Sequence, residues 1–149
     1  MLTAIAILSL LRQPISELKT AENHAIKYYI SLPDHWTASK KWPVLLAIGG
    51  AERDFEETCR VFIAARKDRP YIVVVPMVVT NGGANYRAAS TYRYSEATWA
   101  EIQRVGEYTF DLDGIGAIAS DLESRYAAEH GLYATGFEAG GHTLFALAF

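Results

Sequence analysis

A chain of 149 residues, half of them apolar and 21% charged, can bury one sizeable core and is too apolar to be a disordered polyelectrolyte. Its 14 basic and 17 acidic residues leave a net charge of −3 with no basic stripe, which argues against nucleic acid as a partner. Cys59 is the single cysteine, which excludes an internal disulfide and a Cys-rich metal knuckle; it reads as a small apolar residue on a helix face.

The N-terminal run "LTAIAILSLL" is apolar enough for a signal-peptide core but far too short to span a bilayer as a helix. No Lys or Arg precedes it and no A-x-A cleavage site follows. The expectation is therefore an apolar segment within residues 1–20 packed on the body, in a cytoplasmic rather than secreted chain with no membrane span.

"HAIKYYISLP" alternates apolar and polar residues and reads as an early strand ending at Pro33. "PVLLAIGG" is a continuous apolar run, the pattern of a strand buried on both faces, and it ends in Gly49 and Gly50. Asp54, with Glu57 three positions on, opens a helix to about Arg66 whose buried side carries Phe55, Cys59, Phe62 and Ile63. "YIVVVPMVV" is a second buried strand. A polar and aromatic segment follows, then a helix from near Ser95 to about Val105. Another helix is expected over Asp111 to Glu129, with Leu112, Ile115, Ala119, Leu122 and Tyr126 facing the core and Gly131 as a C-cap. "LYATG" is a short strand, and "AGGHTLFALAF" starts an apolar helix.

Buried strands alternating with helices predict an α/β fold with a mostly parallel sheet flanked by helices, as a single domain over 1–149 with no linker or repeat. Ligands of such sheets sit at the C-terminal ends of the strands. Gly49-Gly50, the segment 80–95 and the turn at Glu138 all fall on that edge.

These residues resemble the esterase branch of the α/β-hydrolases, the polyhydroxybutyrate depolymerase, feruloyl esterase and dienelactone hydrolase type, from about residue 24 onward. "PVLLAIGGAERDF" is similar to the strand and Gly-rich turn that carry the oxyanion hole. "IASDLESRYAAEHGLYATGFEAGGH" is similar to the helix, strand and nucleophile elbow, with Glu138 at the serine position of G-x-S-x-G. The resemblance implies a partial α/β-hydrolase domain ending just after the elbow. Its substrate would be a small ester-like molecule, with no cofactor and no metal. The oxyanion hole would be formed by the backbone near Gly50 and Ala51 with that of Ala139. Glu52, Arg87, Tyr92, Arg93 and Tyr94 could line the pocket, or the aromatic and basic ones could belong to a solvated surface loop.

Two departures matter. A serine hydrolase of this fold needs an acid and a histidine downstream of its nucleophile, and only "AGGHTLFALAF" follows here. His142, one helical turn or roughly 5–6 Å beyond Glu138, is a poor base for that role and reads as a packed or supporting histidine. A Ser-His-Asp mechanism within this sequence is thus excluded. Glu138 itself admits three roles. It could be a carboxylate nucleophile, though no base for the required water is in place. It could be a general acid or base opposite Glu52 or Asp54, or a metal ligand with His142. Or it could be catalytically silent, its oxygens accepting hydrogen bonds from the oxyanion-hole N–H groups. The third role is preferred because it explains both the tolerated charge and the missing machinery. Hydrolysis by this chain alone is then impaired or absent, the alternative being a non-catalytic binding module. The strand at 132–135 is expected to form an apolar sheet edge covered by another chain, in a homo-oligomer or by a complementing second half.

Overall fold

The computed structural model describes residues 16–81 and 92–147. The N-terminal apolar run and residues 82–91 of the polar segment before the second helix, Arg87 among them, lie outside them. The elements in chain order are β1 (Glu17–Thr20), β2 (Lys27–Ser31), β3 (Val44–Ile48), α1 (Phe55–Arg66), β4 (Ile72–Pro76), α2 (Glu96–Val105), α3 (Glu107–Arg125), β5 (Tyr133–Gly136) and α4 (Ala139–Leu147).

The strands form one five-stranded sheet in the order β1-β2-β4-β3-β5. β3 lies parallel to both β4 and β5, which places their C-terminal ends on one edge. β2 pairs antiparallel with β1 and with β4, so the sheet is mixed on that side. β1 was not anticipated: "ELKT" carries a single apolar residue, too short a pattern to register as a strand, and its pairing with β2 places it. β4, "IVVVP", is buried throughout, as expected of a strand covered on both faces.

Helix starts follow the sequence signals closely. Asp54 caps α1 by accepting the Glu57 N–H at 3.0 Å, and Ser95 caps α2 by accepting the Thr98 N–H at 3.1 Å. Phe55, Cys59 and Ile63 are buried as read, together with Arg66, whose guanidinium donates to the carbonyls of Ser31, Leu32 and Tyr71 and so ties α1 to the end of β2.

α3 departs from its expected outline. It starts at Glu107, directly after Gly106 with its φ of +93°, and stops at Arg125, so Gly131 is not its cap. Its buried stripe is Phe110, Asp111, Gly114, Ile115, Ile118, Asp121 and Leu122, while Leu112 is exposed. The stripe is rotated from the apolar-only reading because two aspartates sit inside it. Asp121 accepts the buried Tyr28 hydroxyl at 3.2 Å; Asp111 belongs to the site described next.

Candidate functional site

The site is a strand-turn-helix at β5–α4 facing the turn after β3. Glu138 takes a φ of +51°, a left-handed conformation that costs a non-glycine residue on the order of 1–3 kcal/mol and persists only where its surroundings enforce it. The enforcement is a tight hydrogen-bonded turn. The Phe137 N–H donates to the Ile48 carbonyl, the Gly140 N–H to that of Phe137, and the Gly141 N–H to that of Glu138.

Gly140 lets α4 press onto the end of β3, since a Cβ there would lie 2.4 Å from the Ile48 oxygen and 2.5 Å from the Gly49 oxygen. Gly136 is similarly closed, with the Gly140 carbonyl oxygen 2.6 Å from the place of its Cβ. These are the positions at which the sequence pattern required glycine.

Across the gap, the Ala51 N–H donates to Glu138 Oε2 at 3.1 Å, joining residues 87 apart in the chain. Oε2 of Glu138 and Oε2 of Glu52 both crowd the space that a side chain on Gly50 would fill, at 2.6 and 2.9 Å from its Cβ position. Gly50, Ala51, Glu52 and Glu138 are therefore brought together. Ala139 follows as the first residue of α4. His142, read as packed or supporting, is not packed: it is exposed and lines an open cleft of about 660 Å³ with Tyr108, Glu138, Gly141, Phe145 and Ala146. Among the described residues no group of three or more His, Cys, Asp or Glu is placed to hold a metal ion.

Tyr92 is not at a pocket mouth. It is 1% exposed, packed edge-on against Phe55 and Trp99, and its hydroxyl meets the Val78 carbonyl and Asn81 Oδ1. Its phenol is pushed up by burial, against the pull of the Arg53 guanidinium. Tyr94 donates its hydroxyl to the Met77 carbonyl at 2.8 Å and is likewise a packing residue. Aromatic size decided both: rings this large gain more from the core between β4 and α2 than from a loop surface.

The sequence reading missed four residues behind the turn. Asn81 Nδ2 donates to the carbonyls of Gly49 and Gly50 at 3.1 and 3.2 Å. Asp111, 1% exposed, accepts the N–H groups of Val79 and Thr80 and the Thr80 hydroxyl at 2.7–3.0 Å. The Thr80 hydroxyl also contacts the hydroxyl of Thr143, which is buried on α4. Burial pushes the Asp111 carboxyl up to about 6, outweighing the hydrogen bonds from Thr80 and Val79 that favour its charge. The available signal was an aspartate at a core position, since residues 111, 115, 118 and 122 share one helical face.

No family model matches the chain, and no curated protein matches it. Solved structures do. A Klebsiella pneumoniae chain assigned as a dienelactone hydrolase is similar with a TM-score of 0.61 at 16% identity, over 90% of this chain and 54% of that one. An acetyl xylan esterase from Aspergillus awamori is similar at 0.58 and 14% identity, covering 90% of this chain and 46% of that chain. A poly(aspartic acid) hydrolase from Sphingomonas gives 0.56 and 21% identity, covering 86% and 47%. The chain spans about half the length of these neighbours. Its fold is that of the α/β-hydrolases, over the half of these structures that the chain spans. Among the described residues no helix is long and apolar enough to cross a membrane.

Proposed function

We propose that this chain, with the α/β-hydrolase fold as its premise, is an esterase-type member in which Glu138 stands at the nucleophile position and closes the carbonyl-binding site with its own carboxylate. The observation that carries this is the hydrogen bond from the Ala51 N–H to Glu138 Oε2. A substrate ester would need that donor for the charge developing on its carbonyl oxygen. Removing one such donor costs about 2.7–4 kcal/mol of transition-state stabilisation, on the order of a hundred- to a thousandfold in rate. A carboxylate held there occupies the donor before substrate arrives. His142, exposed on the first turns of α4, supplies no activated hydroxyl, because the position that would carry one is Glu138 itself.

The reading of Glu138 as a nucleophile is weaker on the same geometry. An oxygen engaged by an N–H donor is a poorer attacking group. The experiment is hydrolysis of p-nitrophenyl acetate by the wild type, Glu138→Gln and Glu138→Ser. The expected outcome is no rate above buffer for the wild type and for Glu138→Gln. Wild-type turnover that disappears in Glu138→Gln would make the glutamate catalytic and end this reading.

Independently of Glu138, we propose that another chain covers the β5 edge, and of a second copy and a complementing second half we favour the second copy. β5 pairs only with β3 among the described residues, and Tyr133, Phe137 and Phe145 beside it are 70%, 71% and 69% exposed. The opposite edge is protected by charge, with Lys19 and Glu17 paired at 2.5 Å on β1. β5 carries no charge, so two copies can meet there without like-charge repulsion.

A further inference from the structure

The contact between Ala51 and Glu138 is held from behind on both sides, and the two supports meet at one buried carboxylate. On the β3 side, Asn81 donates its amide to the Gly50 carbonyl. That carbonyl shares a planar peptide group with the Ala51 N–H, so fixing the oxygen aims the N–H in the opposite direction. The Asn81 amide is itself oriented, because its Oδ1 accepts the Tyr92 hydroxyl while its Nδ2 faces two carbonyls. Its backbone continues from Thr80, whose N–H donates to Asp111 at 2.8 Å. On the α4 side, the Thr80 hydroxyl donates to Asp111 at 2.7 Å and is left to accept from the Thr143 hydroxyl. Thr143 lies five positions after Glu138 and is buried on the helix that the Glu138 turn opens.

We propose that Asp111 is the positioning residue of this site: through Thr80 and Asn81 it aims the Ala51 N–H, and through Thr80 and Thr143 it seats α4 and with it Glu138. The inference deepens the reading of Glu138 as a carboxylate occupying the Ala51 donor, and rests on it for its functional meaning. A carboxylate is costly in a core, and an apolar residue would fill the same stripe on α3 without that cost. What the carboxylate adds is the capacity to accept three donors from one short loop at once.

The arrangement is sensitive to protonation. With its carboxyl pushed up to about 6, Asp111 changes charge near neutral pH, where an ordinary aspartate does not. A proton on Oδ1 takes that acceptor from the Val79 N–H, which keeps Oδ2 at 2.9 Å, and by removing the negative charge weakens Oδ2 as the shared acceptor of the Val79 and Thr80 donors. Glu107 on α3 adds repulsion, and the phenols of Tyr92 and Tyr94 feel the Asp111 charge from the segment before α2. Both phenols are raised by burial and stay neutral throughout the window, so they do not supply the step. Thr143, which faces Asp111 through Thr80 from α4, is not titratable. The clamp is complete above about pH 6 and slackens below it. Global stability moves the other way, because a carboxyl raised above its unfolded value disfavours the folded chain as pH rises through about 6. The slackening is therefore local to the site and is not the onset of acid unfolding.

The test is an amide NMR titration of the intact chain from pH 5 to 7.5, following the Ala51 and Glu138 N–H signals. In the wild type both shift with a common midpoint near pH 6, matching the midpoint of the Asp111 carboxyl carbon. Asp111→Asn, whose amide oxygen can keep the Thr80 donors, loses the step while its urea unfolding midpoint shows that it still folds. Glu138→Gln keeps the Ala51 step. Should Asp111→Asn not fold, Thr143→Val serves: the Glu138 step disappears and the Ala51 step remains. A step at Ala51 that vanishes in Glu138→Gln belongs to Glu138 and overturns the proposal, as does one that survives in Asp111→Asn. The Ala51 shift at pH 7.5 separates this inference from the reading beneath it. If Glu138→Ala leaves that shift unchanged while Gly50 and Asn81 still titrate with Asp111, the positioning stands and the filled-site reading falls.

Discussion

Gly140 and Gly141 are adjacent in sequence, both on the first turn of α4, yet alanine should act on them with opposite signs. At Gly140 a methyl group would stand 2.4 Å from the Ile48 oxygen and 2.5 Å from the Gly49 oxygen. Ordinary contact begins at 3.4 Å, so the helix start must withdraw from β3 by about 1 Å. Both oxygens belong to backbone, and the Ile48 oxygen also accepts the Phe137 N–H that closes the turn, so neither can move freely. Overpacking costs about 1–3 kcal/mol, and a weakened hydrogen bond adds about 1 kcal/mol. The expected loss for Gly140→Ala is therefore about 3 kcal/mol, or a fall in Tm of roughly 10 °C for a domain of this size. At Gly141 nothing lies within 4 Å of the same methyl, and alanine gains about 0.5–1 kcal/mol from helix propensity. Urea unfolding followed by tryptophan fluorescence would measure both. If Gly140→Ala unfolds within about 0.5 kcal/mol of the wild type, near the error of such a comparison, the close seating of α4 on β3 is wrong. The site geometry built on that seating would go with it.

Two further outcomes are expected. The Cys59 thiol is buried under α1 and pushed up to about 12, so at pH 8 it is almost wholly protonated; Ellman's reagent should label it only after unfolding. Rapid labelling of the native chain would show α1 open to solvent. Light scattering should find concentration-dependent association through β5, reduced by Tyr133→Lys, which adds a charge to the uncharged edge strand. A monomer throughout the micromolar range that also binds no apolar dye would remove the second-copy proposal, and association only with a separate C-terminal half of a related hydrolase would replace it with a complementing chain.

The sequence by itself determined the elements whose signals are local. Asp54 and Ser95 announced two helices because a cap is a contact between residues three apart. "PVLLAIGG" and "YIVVVP" announced buried strands because burial on both faces leaves no polar alternation. The glycine spacing around Glu138 announced a tight strand-to-helix turn, since only a missing Cβ lets α4 approach β3. Tertiary structure alone decided the rest. β1 exists because β2 offers it a ladder, and four residues with one apolar side chain cannot advertise that. Tyr92 went to the core rather than the pocket, and His142 to the open cleft beside Glu138 rather than into the packing, because each depends on what lies across the fold from it. Asp111 reaches Thr80 across 31 positions, and Glu138 reaches Ala51 across 87. Periodicity carries no information at those separations. A hydrogen bond over such a distance is set by how the helices seat on the sheet, and that seating is a property of the packed molecule.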